Sequence, residues 1–544
     1  MQETGKQAAG MPAWAWGALV VMVCLIVFLP AVRFPFMPFW DDDVHVHANP
    51  HLANLSWSGI AAFWSGPWQQ LYIPVTYSTW AALAALSRMA DGLPVSSGAL
   101  NAAWFHGANV LVHAASAALA FALLRRLVQR LFPAADSGRV NLAAALGAAF
   151  FALHPLQVEP VAWISGLRDV LGGCLGLAAL VVLFGGARMT PLRWTASTIL
   201  YLASLAAKPA GVALPLVALL LAFVPFRWPW RRIALALGPW LLAGALWVLV
   251  TSNAQWAAEL ARGLVPSWMR PLVAADALAF YLGKALWPAG LAADYGHSPD
   301  FAREAGLLWW MWIFPAALAG ILAVVKPWRI FLLPLGMFTA ALLPTLGLVP
   351  FNFQVVSTVA DRYAYFALLG PALALAMITA RADHAWITAG AVVWVAVLGF
   401  LSVQRLPLWS EDLRLFAATL EINPRSWKAM HNYASALDDR GRPAEAEPML
   451  RKVIALRPDS SEAHNDLAVI LWNLKRPEEA VGMLRRSLNL RPTSPAAHNL
   501  VQMEAALGNM PGVIEALRAV VELEPGNTEA AAQLSRLLVE QQGR

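Results

Sequence analysis

The chain has 544 residues, 59% of them hydrophobic and only 13% charged, with a mean hydropathy of +0.55. Soluble domains carry about 25% charged residues, so the composition excludes an ordinary soluble protein and points to an integral membrane protein. The net charge of +6 does not indicate nucleic acid, because the arginines lie in short clusters between apolar runs, which is a topology signal.

The first apolar run, from Trp14 to Pro30, is long and is followed by aromatics with no small-residue cleavage site, so it reads as a retained anchor. Windows long enough to cross about 30 Å of hydrocarbon fall at 13–32, 100–123, 140–157, 169–187, 193–208, 210–226, 233–251, 306–325, 329–349, 362–380 and 385–403. Eleven crossings are therefore expected in an all-α polytopic bundle. Two further apolar stretches, 71–90 and 275–291, break the alternation if they cross, and they read as helices at the membrane surface. With Lys6 in the cytoplasm, the clusters Arg125, Arg126, Arg130 and Arg139; Arg188 and Arg193; Arg227, Arg231 and Arg232; Lys326 and Arg329; and Arg381 all fall inside. Cys24 and Cys174 lie in apolar runs and support neither a disulfide framework nor a metal site.

That parity puts the chemically interesting polar residues on the opposite, outer side. "WDDDVHVHANPHL" (40–52) places Asp41, Asp42 and Asp43 where the first helix leaves the bilayer. After it come "YIPVTYSTW" (72–80), "ALHPLQVEPVAWISGLRDVLGG" (152–173), "LAAKP" (205–209) and "STVADRYAYFALLG" (357–370). Carboxylates are costly at such a boundary, as are the isolated cations Arg168, Lys208 and Arg362 at the predicted span ends. A plain reading is a solvated loop charge for the aspartates, and local ion pairs for the arginines: Arg168 with Asp169 or Glu159, and Arg362 with Asp361. Lys208 has no acidic neighbour in sequence. His106, His113 and His154 read as hydrogen-bonded packing residues.

The composition shifts near Gln404 to Trp409, giving a membrane domain over 1–404 and a polar domain over 405–544. In the latter, "EINPRSWKAMHNYASAL", "ALRPDSSEAHNDLAVIL" and "NLRPTSPAAHNLVQMEA" recur, with Pro424, Pro458 and Pro492 each 34 residues apart and Pro525 following. Ala446 and Ala480 occupy a small-residue position where two helices must approach closely. A 34-residue helix–turn–helix unit with these features resembles the tetratricopeptide repeat. The units span 427–460, 461–494 and 495–527, with a capping helix at 528–541, and such repeats stack into an α-solenoid that binds extended peptide. His431, Asn465 and Asn499 occupy equivalent first-helix positions and could bind an acceptor, or merely solvate the helices.

The five polar segments in order, together with the repeats, resemble the transmembrane and tetratricopeptide-repeat O-mannosyltransferases of the GT-C glycosyltransferase superfamily over essentially the whole chain. The resemblance implies transfer of a sugar from a polyprenyl-phosphate donor to Ser or Thr hydroxyls of a protein acceptor, at the outer face of the membrane. It implies an acidic general base in the first external loop: Asp42 first, Asp41 close behind, with Asp43 organising the loop. Arg168, Lys208 and Arg362 would receive the donor phosphate, and Glu159 would act as a second acid or orient an arginine. Tyr72 and Tyr77 could contact sugar or acceptor. No cofactor is assigned, and a divalent cation on Asp41 and Asp43 is an alternative use of paired carboxylates. The arginine- and alanine-rich composition suits a GC-rich bacterium, hence a multi-pass inner-membrane protein with its site and repeats in the periplasm, acting on an envelope protein such as a pilin. The competing readings are a GT-C transferase acting on a lipid or polysaccharide, and a non-catalytic scaffold that assembles envelope proteins through its repeats.

Overall fold

A computed structural model describes residues 11–92, 94, 98–186, 189–252, 261 and 263–542. Lys6 and Arg188, which entered the sidedness expectation, lie outside the described residues. Every regular element among the described residues is helical. The chain divides into two compact units, Met1–Glu411 and Asp412–Arg544. The division falls later than the expected 404/405 because Leu406 and Trp409 are buried in the first unit. There Trp409 packs against Trp163 with ring centroids 6.1 Å apart.

Each expected apolar window overlaps a helix, but fewer than eleven of these helices are long enough to cross a membrane unbroken. Among the described residues seven helices are long and apolar enough to cross a membrane: Ala13–Arg33, Ala102–Leu131, Ile164–Leu183, Trp230–Thr251, Leu307–Val324, Lys326–Thr345 and Ala385–Ser410. An eighth counts if Ser137–Leu153 and Pro155–Ala162, bent by 48°, form one span. Pro209–Phe223 and Leu369–Arg381 are shorter apolar helices, and Pro191–Ala207 has only 17 residues with several hydroxyls on it. The shortfall has a local cause. Proline breaks the helices at Pro155 and Pro209, and a separate 3-10 turn, Asp361–Ala364, precedes Leu369–Arg381. Those breaks carry the polar residues the sequence singled out. The two stretches expected at the surface are helices, Pro74–Ala90 and Arg270–Leu286. Neither is among the seven or eight candidate spans.

Capping residues start many of these helices where the sequence offers an oxygen. Asn101 accepts from Ala103 N at 3.0 Å, and Asp136 from Arg139 N at 2.9 Å. In the second unit Ser426 and Ser460 cap equivalent first helices, Trp427–Asp439 and Ser461–Asn473. The partner helices Pro443–Leu456 and Pro477–Leu490 begin with proline, whose missing N–H costs nothing in a first turn. Ala446 and Ala480 are wholly buried among Leu450, Leu467, Leu471 and Leu484. A larger side chain at either alanine would push the helix pairs apart. Ser494–Ala506, Met510–Leu523 and the terminal helix Thr528–Gln542 complete the stack.

Candidate functional site

The aspartate loop is pinned to the rest of the first unit by its backbone and by one carboxylate. Trp163 Nε1 donates to Trp40 O at 2.9 Å. Asp42 turns inward: its Oδ2 accepts from Met37 N at 3.0 Å, and its Oδ1 accepts from Ser165 N at 2.9 Å and Ser165 Oγ at 2.7 Å. It is 1% exposed, and burial pushes its carboxyl up to about 7 against those donors. A carboxylate so occupied has no face for an acceptor. The first choice of Asp42 as base is therefore corrected, because its two oxygens hold the loop to the 164–166 turn.

Asp41 turns the other way. Its backbone is left-handed, with φ 72°, a conformation that costs energy for any residue but glycine and that aspartate tolerates better than most. Its exposed carboxylate stands 3.5 Å from Arg168 Nη2. Asp43, half-buried, bonds Val44 N at 2.8 Å and so organises the loop. The cation site suggested for Asp41 and Asp43 finds no third ligand. Among the described residues no three His, Cys, Asp or Glu side chains stand close enough to share a metal ion.

Two of the three cations, distant in sequence, meet at Asp169, and the third, Arg362, is held by Glu159. Lys208 Nζ lies 2.5 Å from Asp169 Oδ1, and Arg168 Nε 3.8 Å from Asp169 Oδ2. Arg362 Nη1 lies 2.5 Å from Glu159 Oε1, and Arg362 N donates to Glu159 Oε2 at 3.3 Å. Glu159 is fully buried. Its two oxygens both serve Arg362. Arg362 also lies over the Phe353 ring, 4.5 Å from its centroid, and Arg168 over Trp163 at 4.9 Å, contacts that hold guanidinium planes flat.

Asp169, Lys208 and Arg362 line an open cleft of about 50 Å³, whose remaining walls include Leu214, Ala341, Tyr363 and Phe366. Its floor is the glycine face of Leu167–Leu183. A Cβ at Gly172 would stand 2.8 Å from Lys208 Cβ, and one at Gly173 2.5 Å from the Tyr365 ring. Glycine there lets the Lys208 backbone and Tyr365 lie directly on the helix. The cleft thus joins cationic groups to apolar walls. Asp169 Oδ2 is buried with no hydrogen-bond partner, leaving an acceptor beside the cleft.

The two tyrosines separate. Tyr77 is 1% exposed, bonds His45 Nδ1 at 2.9 Å and stacks on Phe63; it is a core residue, which corrects its expected contact with substrate. Burial lowers the His45 ring to about 4, keeping it neutral beside Tyr77. Tyr72 is half-buried and donates to Trp64 O at 2.9 Å. His106, His113 and His154 bond the carbonyls of Pro35, Ala152 and Ala285 and act in packing. Sequence reasoning used Asp169 and Asp361 only as ion-pair alternatives and missed Tyr295 and Arg405. An aspartate beside an arginine in apolar sequence was the available signal for Asp169.

In the second unit the equivalent first-helix residues join one ladder. His431 Nε2 lies 2.5 Å from Asp466 Oδ2, Asn465 Nδ2 donates to Asp466 Oδ1 at 2.9 Å, and Asn499 Nδ2 donates to Asn465 Oδ1 at 3.0 Å. His431 is 7% exposed and spent on Asp466. Asn465 and Asn499 keep partial exposure and unused donors and acceptors.

Residues 439–503 match the tetratricopeptide repeat family, so the C-terminal region is a tetratricopeptide-repeat unit. No curated protein matches the chain. Two crystal structures of MamA are similar to parts of it. One is 21% identical, covering 23% of this chain and 69% of that chain with a TM-score of 0.22. The other is 19% identical, covering 26% and 83% with a TM-score of 0.23.

Proposed function

We propose that the protein is a membrane glycosyltransferase of the GT-C type that moves a sugar from a polyprenyl-phosphate donor to Ser or Thr hydroxyls of a protein acceptor. The observation that carries this reading is an apolar-walled cleft lined by Lys208 and Arg362, with Arg168 held beside its Asp169 wall and the exposed Asp41 carboxylate 3.5 Å from Arg168. A lipid phosphate needs cations at its head and apolar walls along its tail, and the cleft offers both. In the reaction the acceptor oxygen bonds to the anomeric carbon while its proton passes to Asp41. The bond from that carbon to the phosphate oxygen breaks, and its electron pair leaves with the polyprenyl phosphate beside Arg168, Lys208 and Arg362. Each cation already has a carboxylate neighbour, so an incoming phosphate shares these groups and does not meet bare charge.

The repeats would recruit the acceptor through the Asn465–Asn499 ladder, raising its local concentration without adding chemistry. The sidedness proposed is that of a bacterial inner membrane, with Asp41 and the repeats facing the periplasm. Complete pairing of the cations also suits the scaffold reading, in which the network only stabilises the bundle. Intact-mass analysis of envelope proteins from cells with and without the gene separates the two. A sugar mass lost with the gene supports transfer, and unchanged masses with altered protein complexes support the scaffold.

A further inference from the structure

The turn Asp361–Ala364 places two opposite charges side by side in buried surroundings, Asp361 fully buried and Arg362 6% exposed. It is a 3-10 turn, so successive side chains diverge by about a third of a circle. Arg362 points to Glu159 and the cleft. Asp361 points elsewhere: Tyr295 donates its hydroxyl to Oδ1 at 2.5 Å, and Arg405 Nη2 bonds Oδ2 at 2.8 Å. Arg405, the last residue of the helix Ala385–Arg405, is itself held by Leu291 O at 2.6 Å. Just before the turn, Tyr281 Oη donates to Ala360 O at 3.1 Å and accepts from Ala360 N at 3.0 Å. The turn is therefore clamped on the side away from the cleft by groups from the 281–295 region and from the end of the 385–405 helix. None of those groups lines the cleft.

We propose that Asp361, held by Arg405 and Tyr295, is a positioning residue that fixes where the Arg362 guanidinium stands in the cleft. The proposal rests on reading Arg362 as a ligand for the donor phosphate. Its physical basis is that a buried carboxylate with two good partners has one stable orientation. Removing its charge leaves the Arg405 side chain, only 10% exposed, without a counter-ion, which drives local rearrangement. Because Asp361 and Arg362 share one short turn, any such rotation moves the guanidinium. Glu159 cannot compensate, since it also binds Arg362 N and would move with the same backbone.

The test uses the full-length protein in detergent, with farnesyl phosphate and farnesol as probes. The ratio of their affinities reports the phosphate contribution and cancels binding of the apolar tail. In the wild type the ratio should favour the phosphate, and Arg362→Ala should lower it roughly ten- to a hundred-fold, as loss of a charge-assisted contact does. Asp361→Asn should lower it several-fold while farnesol binding stays unchanged. In the Arg362→Ala background, Asp361→Asn should lower it no further, because a positioning residue has nothing left to position. Tyr295→Phe removes one hydroxyl and no charge; it should give a smaller drop that also vanishes in that background, and it decides the matter if Asp361→Asn does not fold. An unchanged ratio in Asp361→Asn, or in Tyr295→Phe when only that variant folds, overturns the positioning role. So does a drop that adds fully to that of Arg362→Ala. A wild-type ratio of one, in contrast, overturns the phosphate reading of the cleft itself.

Discussion

Replacing Asp42 and Asp41 separately distinguishes a residue that holds the loop from one that does chemistry. Asp42→Ala removes the acceptor for Met37 N, Ser165 N and Ser165 Oγ, all at a buried site. The Ser165 hydroxyl can rotate to another acceptor, but the two backbone N–H groups cannot. Each buried orphaned donor costs about 1–3 kcal/mol, so the variant should lose roughly 2–6 kcal/mol of stability. Asp41→Asn alters a side chain that is 52% exposed. It should change stability by no more than about 0.5 kcal/mol, yet slow transfer by about 10²–10⁴ through loss of the base. Thermal unfolding of both purified variants, run beside sugar transfer from a polyprenyl-phosphate donor, reads out the contrast. An Asp42→Ala protein that unfolds at the wild-type temperature, or an Asp41→Asn protein with full transfer, would refute the assignment of roles within the trio.

Asp42 also predicts a pH dependence. Its folded value of about 7 lies above the ordinary 3.8 because of burial, so its contribution to stability is fully present below about pH 4 and is lost as pH rises through about 7. Asp42→Asn abolishes that titration, and its stability relative to wild type should improve between pH 4 and 8; a constant difference in unfolding temperature would contradict this. Glu159→Gln leaves Arg362 buried without its counter-charge and should cost about 3–5 kcal/mol, measured by thermal unfolding, with little loss expected only if Arg362 is solvated. Cysteines at exposed Val44 and Lys452 should both react with an impermeant thiol reagent in spheroplasts, and labelling of only one would overturn the proposed sidedness. A chain ending at Glu411 should keep slow hydrolysis of the lipid-linked sugar and lose transfer to its natural protein acceptor; loss of both would show that the two units do not divide the work.

The helical class and the repeats were legible in the residues themselves. Proline at 34-residue intervals with buried Ala446 and Ala480 is a local pattern, and a helix pair that cannot cover its own apolar face has to stack on the next. Apolar length located the helices that could cross a membrane but not their breaks, because Pro155, Pro209 and the Asp361–Ala364 turn cut the runs into shorter helices. Sequence also singled out Arg168, Lys208 and Arg362, since an isolated cation in apolar surroundings is costly wherever it falls. Which carboxylate meets which cation was a tertiary decision. Asp169 pairs with Lys208 across 39 residues and Glu159 with Arg362 across 203, and no spacing rule reaches that far. The same holds within the aspartate trio. Neighbouring identical residues differ only in which way the backbone turns them, and the left-handed turn at Asp41, locked by the contacts of Asp42 with Met37 and Ser165, exists only once the helices are packed.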